Sequence, residues 1–177
     1  ATGSSQRLIV YPHVRHFPKR EDAYQLGFQV VGFIGRKPVE GCISEELLDF
    51  DFRLAGVWQF IPVCATPCIT VLKNFSQERL GFVKEATTAD KVRFLKASHI
   101  PLLWSNPPVR PFKFNPRLDK EQQGKAPFVQ IIARFLPKDD IVEFTSQRSP
   151  PAVNPPKFLK AGKKDKAEAL SQKKRNS

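Results

Sequence analysis

The residues of this 177-residue chain best suited to hold a metal are three histidines and three cysteines. His13 and His16 are spaced as one pair, Cys64 and Cys68 as another. Two imidazoles and two thiolates would make a tetrahedral zinc set if the pairs met. Nothing in the spacing brings them together. Cys64 and Cys68 read better as small apolar residues at strand ends, so no metal is expected. Their separation also differs from the two-residue spacing of redox dithiols. Glu45-Glu46 and Asp139-Asp140 are adjacent acids, which on a strand would point to opposite faces. They read as surface and turn residues. The chain has no Walker loop, no G-x-S-x-G and no H-E-x-x-H. It is therefore expected not to be an enzyme and to carry no cofactor.

The positive signal is basic residues interleaved with aromatics. Arg93 and Lys96 flank Phe94, with Lys91 close by. Trp104, Arg110, Phe112, Lys113, Phe114 and Arg117 form a second set inside a proline-rich stretch. Arg134 lies on the mixed face of a strand whose other face, Val129, Ile131, Ala133 and Phe135, is apolar. Lys163, Lys164, Lys166, Lys173, Lys174 and Arg175 crowd the C-terminal end. Such sets bind single-stranded nucleic acid, because cations track the phosphates and rings stack on bases. All of these residues are candidate nucleic-acid-binding positions. Pro-rich loops with aromatics also dock on proteins, which keeps protein subunits among the expected partners.

Charge distribution points the same way. The net charge is +12. Residues 7–20 hold four bases and no acid, and residues 148–177 carry a net +7. The stretch between them, 21–147, is nearly balanced at +1. Basic ends on a neutral body suit a protein anchored to nucleic acid by its extensions. Within the body, residues 84–138 hold eleven bases against four acids, so a positive folded surface would come from there. No apolar run approaches the roughly 18 residues of a membrane span.

These residues must be positioned by strands. Residues 56–74, GVWQFIPVCATPCITVLKN, contain two β-branched and aromatic runs split by a turn at Cys64 to Pro67. Trp58 and Phe60 share one face, Val57, Gln59, Ile61 and Val63 the other. Both faces are apolar, so the hairpin is expected to be central. Residues 26–35, LGFQVVGFIG, read as a strand bent at its glycines. Phe50, Phe52 and Leu54 alternate with charged residues, as a strand would. Residues 128–136 are another clear strand, with a turn at 137–140 and a return at 141–145. A short strand is also expected at 80–83; residues 92–96 read as a strand, with a helix capped at Thr88-Ala89-Asp90 as the alternative, and one helical turn is expected after Ser44. Residues 7–20 read as an extended arm. Residues 101–116 carry five prolines and read as a long ordered loop. The expected core includes Val57, Ile61, Ile69, Val71, Val129, Ile131 and Phe135.

With the strands LGFQVVGFIG, GVWQFIPVCATPCITVLKN and FVQIIARFLP in place, the chain resembles the OB-fold class of nucleic-acid-binding proteins over about residues 25–146. The phrases HIPLLW and FVQIIARFLP also resemble uncharacterised proteins shared by plastids and cyanobacteria. The resemblance implies a mainly β protein, a small antiparallel OB-like barrel with basic extended N- and C-terminal tails. The expected division is an arm at 1–20, one domain at 21–147 with its Pro-rich loop at 101–116, and a basic tail at 148–177. The expected function is non-enzymatic binding of RNA or single-stranded DNA within an organellar gene-expression complex. The alternative is a structural subunit or assembly factor of a large multiprotein or ribonucleoprotein complex. An odd, small cysteine count suits a reducing compartment, and residues 1–5 read either as the mature end left by a removed transit peptide or as a cloning scar. The expected location is the chloroplast stroma, with the mitochondrial matrix as alternative.

Overall fold

A computed structural model of the chain describes residues 6–17, 24–34, 47–72, 77–119, 121–154, 156 and 158–175. The expected helical turn after Ser44, the residues 1–5 and the side chain of Lys174 lie outside the described residues. Strand makes up 45% of the structure and helix 21%, so the protein is mainly β. The chain forms two compact units, one of residues 1–70 and 98–155, the other of 71–97 and 156–177.

The first unit is assembled from strands β1 (Arg7–His16), β2 (Tyr24–Ile34), β3 (Asp51–Phe60), β4 (Pro67–Val71), β5 (Ser98–Leu103), β6 (Phe112–Lys113), β7 (Phe128–Leu136) and β8 (Ile141–Ala152). Five of them close on themselves: β3, β4, β5, β8 and β7 are neighbours in that order, and β7 pairs with β3. β3 is the seam. Its second half pairs antiparallel with β4, from Val57↔Thr70 to Phe60↔Pro67. Its first half pairs antiparallel with β7, from Asp51↔Arg134 to Val57↔Phe128. β8 completes the ring, antiparallel to β7 and parallel to β5.

Register decides which face is inside. Leu54 stands opposite Ile131 and Gly56 opposite Val129, so the even-numbered residues of β3 face inward with the apolar face of β7. Leu54, Trp58, Ile69, Ile100, Leu102, Val129, Ile131, Ala133 and Val142 form the buried core. Ile69, Val129 and Ile131 meet the sequence-based expectation. Val57 and Ile61 lie on the opposite parity from Trp58 and are only half-buried, as are Val71 and Phe135 near strand ends. A side chain at Gly56 would strike the Thr70 carbonyl oxygen, so only glycine lets β4 cross this close to β3. The expected turn between β3 and β4 starts earlier. A 3-10 turn occupies Pro62–Cys64, Ala65 follows with φ of 56°, and Pro67 already opens β4.

Residues 7–16, read as part of an extended arm, are strand throughout. They are one strand of a ribbon, paired with β2 from Arg7↔Ile34 to His16↔Tyr24. β2 is the next strand along the chain, so an inspection of 7–20 alone stops short of the partner. Phe28 of the ribbon lies on Phe52 with ring centroids 5.6 Å apart and meets Phe135 edge-on at 4.9 Å. It thereby covers one end of the ring. At the other end of the chain, β8 continues to Ala152, so residues 148–152 are strand rather than the start of a tail. Pro150 and Pro151 are tolerated because the register with β7 shifts between Phe128 and Gln130.

The second unit is helical: α1 (Gln77–Glu85), α2 (Thr88–Phe94) and α3 (Lys163–Arg175). The short strands expected at 80–83 and 92–96 are α1 and α2 instead. Thr87 decides the second case: its hydroxyl oxygen accepts the Asp90 N–H at 3.2 Å and caps α2. Arg93 adds an ion pair to Asp90 one turn back, at 3.0 Å. α3 begins with Asp165 accepting from the Gly162 N–H at 3.0 Å, and it packs on α2. No helix among the described residues is long and apolar enough to cross a membrane.

Candidate nucleic-acid interface

The loop that follows β5 carries the second aromatic–basic set. It starts from an anchor. Trp104 is buried, stacked on Phe144 at 4.4 Å with planes 8° apart, and it also touches Trp58 at 5.3 Å. Trp58 Nε1 donates to the Val109 carbonyl at 3.2 Å and ties the loop down. Trp104, a candidate stacking ring in the sequence, is therefore packed as a core ring. A large apolar ring beside two aromatic neighbours gains more from burial than from exposure.

Beyond the anchor the chain reaches the rim. β6 runs parallel to the end of β3, with Phe112 beside Gln59 and Lys113 beside Phe60. Lys113 Nζ sits 5.2 Å above the centroid of the Phe60 ring. Phe112 is half-buried, whereas Phe114 is 62% exposed. Arg110, Lys113 and Arg117 are exposed. The loop holds a defined shape because Gln123 clamps it. Gln123 Nε2 donates to the carbonyls of Asn115 at 2.6 Å and Leu118 at 2.9 Å, and its Oε1 accepts the Asn115 N–H at 3.1 Å. Asn115 Oδ1 in turn accepts the Arg117 N–H at 3.0 Å. Asn115 and Gln123, which the sequence reading did not single out, thus present Phe114 and Arg117. Phe60, placed by the sequence on the same strand face as Trp58, is the ring under Lys113. Its place at the end of β3 was the available signal.

Arg134 does not join this surface. It pairs with Asp51 through Nε at 2.8 Å and Nη2 at 3.3 Å. That hydrogen-bonded carboxylate raises the guanidinium pKa further. Asp51 and Phe60 stand at opposite ends of β3, about 30 Å apart at the usual rise.

In the second unit, Arg93 lies over the Phe94 ring at 5.3 Å while paired to Asp90. Lys96 is exposed just after α2. On α3, Lys163, Lys164, Lys166, Lys173 and Arg175 are exposed. Lys163 and Lys166 lie one turn apart on one stripe of the helix, whereas Lys173 continues the row of the half-buried Asp165 and Ala169.

The histidines and cysteines partly converge. His16 Nε2 donates to the His99 carbonyl at 3.0 Å and stands 3.6 Å from Cys64 Sγ. His13 is three residues away on a strand and so projects from the opposite face, exposed. Among the described residues no group of three or more His, Cys, Asp or Glu is placed to hold a metal ion. Cys64 and Cys68 are free and buried. Burial raises both thiol pKa values, that of Cys68 to about 12, with the neighbouring Cys64 adding to the shift. They behave as inert small apolar groups, not as nucleophiles. Thr70 joins this layer to its surroundings, sharing hydrogen bonds with Gln59 Nε2 at 2.6 Å and His99 Nδ1 at 2.9 Å.

No protein-family model, no curated protein and no solved structure matches this chain.

Proposed function

We propose that this protein binds single-stranded nucleic acid, RNA foremost, and catalyses no reaction. The observation that carries the reading is the clamped rim loop, where exposed Phe114 stands among Arg110, Lys113 and Arg117. A fixed ring surrounded by cations offers a base a stacking face and its phosphates a positive track. The basic stripe of α3 would add a second, sequence-independent phosphate contact.

An OB-like barrel is the fold reading that fits this function. The order β7-β3-β4-β5 is the Greek-key order, and β8 closes the ring between β5 and β7. One departure matters. OB-folds bind through the face of their second and third strands and through the connections after their first and fourth strands. Here these connections are residues 61–66, which carry no charge, and 137–140, with one lysine and two aspartates. The binding surface in this reading has moved to the connection between β5 and β7, where the cations are. The proposed setting is an organellar gene-expression complex in the chloroplast stroma, or alternatively the mitochondrial matrix. The free thiols of Cys64 and Cys68 suit such a reducing compartment.

Anisotropy titration of the full chain with labelled single-stranded RNA, single-stranded DNA and duplex tests the reading. Affinity for single strands should fall linearly in log–log form as salt rises between about 50 and 200 mM. Absence of binding at low salt would refute it. The second reading, a structural subunit or assembly factor, is favoured by a different observation: one end of the β1–β2 ribbon exposes Leu8, Tyr11, Val30 and Phe33.

A further inference from the structure

The helical unit carries most of the charge. Residues 71–97 and 156–177 hold fourteen bases and five acids, and so supply +9 of the net +12. The unit of strands, more than twice as long, supplies +3. Attraction for a polyanion is therefore concentrated in three short helices.

The same helices expose an aromatic pair. α2 packs against both α1 and α3. On α1, Val83 is fully buried and Leu80, one turn before it, is half-buried. Phe82, next to Val83, is carried about 100° round the helix and is 65% exposed. Its ring lies 6.1 Å from that of Phe94, and the Arg93 guanidinium stands 5.3 Å from the Phe94 centroid. Arg93 is steadied by Asp90 at 3.0 Å yet keeps most of its side chain in water. The surface beside Phe82 is open, since a methyl group at Gly81 would meet nothing within 4 Å. A large ring left in water, with a second ring and a guanidinium at its side, has the makeup of a stacking platform.

We propose that the helical unit is a second nucleic-acid site, distinct from the rim loop. A base of a single strand stacks on Phe82, and Arg93, Lys96 and the lysines of α3 take the phosphates. The proposal rests on nucleic acid being the partner of this chain. The charge selects a polyanion, and the rings select a nucleic acid over an anionic membrane. A helix that enters the headgroup layer needs a broad apolar face. α3 has one large apolar residue, Leu170, against six cations. Lipid headgroups also offer nothing on which a ring can stack.

Calorimetric titration of the nuclease-treated full chain at about 50 mM salt counts the sites, using a mixed-sequence single-stranded RNA of about six nucleotides, short enough to fill one site. Two RNAs per chain are expected. Phe82→Ala should weaken one of them about 5- to 150-fold, the worth of one stacked base, and Phe114→Ala the other. Phe82→Leu keeps an apolar contact with Phe94 but has no π face, so it should behave as Phe82→Ala does. Phe82→Trp should restore binding. If Phe82→Leu binds as well as the unaltered chain, the ring only props Phe94 and the proposal is overturned. One RNA per chain, weakened by Phe114→Ala and indifferent to Phe82→Ala, overturns the second site and leaves the rim loop standing. No bound RNA overturns both. Sedimentation with vesicles of phosphatidylcholine and phosphatidylserine covers the membrane: if Phe82→Ala releases the chain from vesicles while both RNA sites persist, the patch is a lipid contact and the proposal falls.

Discussion

The Lys113 ammonium stands 5.2 Å over the ring of Phe60, at the point where β6 joins the end of β3. The contact contributes about 0.5–1 kcal/mol at an exposed site. It also settles the direction of the rim loop, because a cation held over β3 turns the next residue, Phe114, to solvent. Phe114→Ala should then lower affinity for single strands by about 1–3 kcal/mol, the worth of one stacked base. Melting temperature should stay unchanged. Anisotropy and thermal unfolding on the same sample check both halves, and an unaltered affinity removes Phe114 from the interface.

Trp104 should show the reverse. It is wedged between Phe144 and Trp58, so Trp104→Ala should cost about 3–5 kcal/mol of stability. Affinity, measured well below the new unfolding midpoint, should change little. Urea titration reads the first quantity. A small stability loss with a large affinity loss would return Trp104 to the binding surface.

The stripe on α3 predicts a salt effect rather than a stability effect. Lys163→Gln with Lys166→Gln leaves the helix and its cap at Asp165 intact. If both lysines touch phosphates, the slope of log affinity against log salt should fall by about 1.4. An identical slope in the double variant would exclude this stripe as an anchor.

Alkaline pH should expose the buried thiol. Burial lifts the Cys68 pKa from 9.0 to about 12. In the unfolded chain the thiol ionises near its ordinary value, while in the folded protein it keeps its proton. The unfolded state thus binds fewer protons above pH 9, and stability must decline from there towards pH 12. Cys68→Ala should make that decline shallower, whatever its effect at neutral pH. Urea midpoints at pH 7, 9 and 10 give the comparison, and parallel curves would contradict the assignment.

Alternation and composition were enough to find β2, β7 and the β3–β4 hairpin, because a strand needs only its own residues to show period two. They were also enough to locate the cations, since charge is a property of composition. Parity along β3 stated which residues share a face, but the choice of Trp58 over Val57 for the interior came from pairing with β7. Residues 7–16 show strand-like alternation, but that their backbone edge is filled by β2, in the register Arg7↔Ile34 to His16↔Tyr24, is visible only in the pairing. Residues 88–94 were too short for periodicity to separate helix from strand, and one cap at Thr87 tipped them. The aromatic loop has no period at all. Whether Trp104 or Phe114 faces water depended on Phe144 and Trp58 waiting inside the ring, and on Gln123 holding the rim. Local sequence determines what each segment prefers; which ring reaches solvent is decided by the contacts that distant segments make when the ring of strands closes.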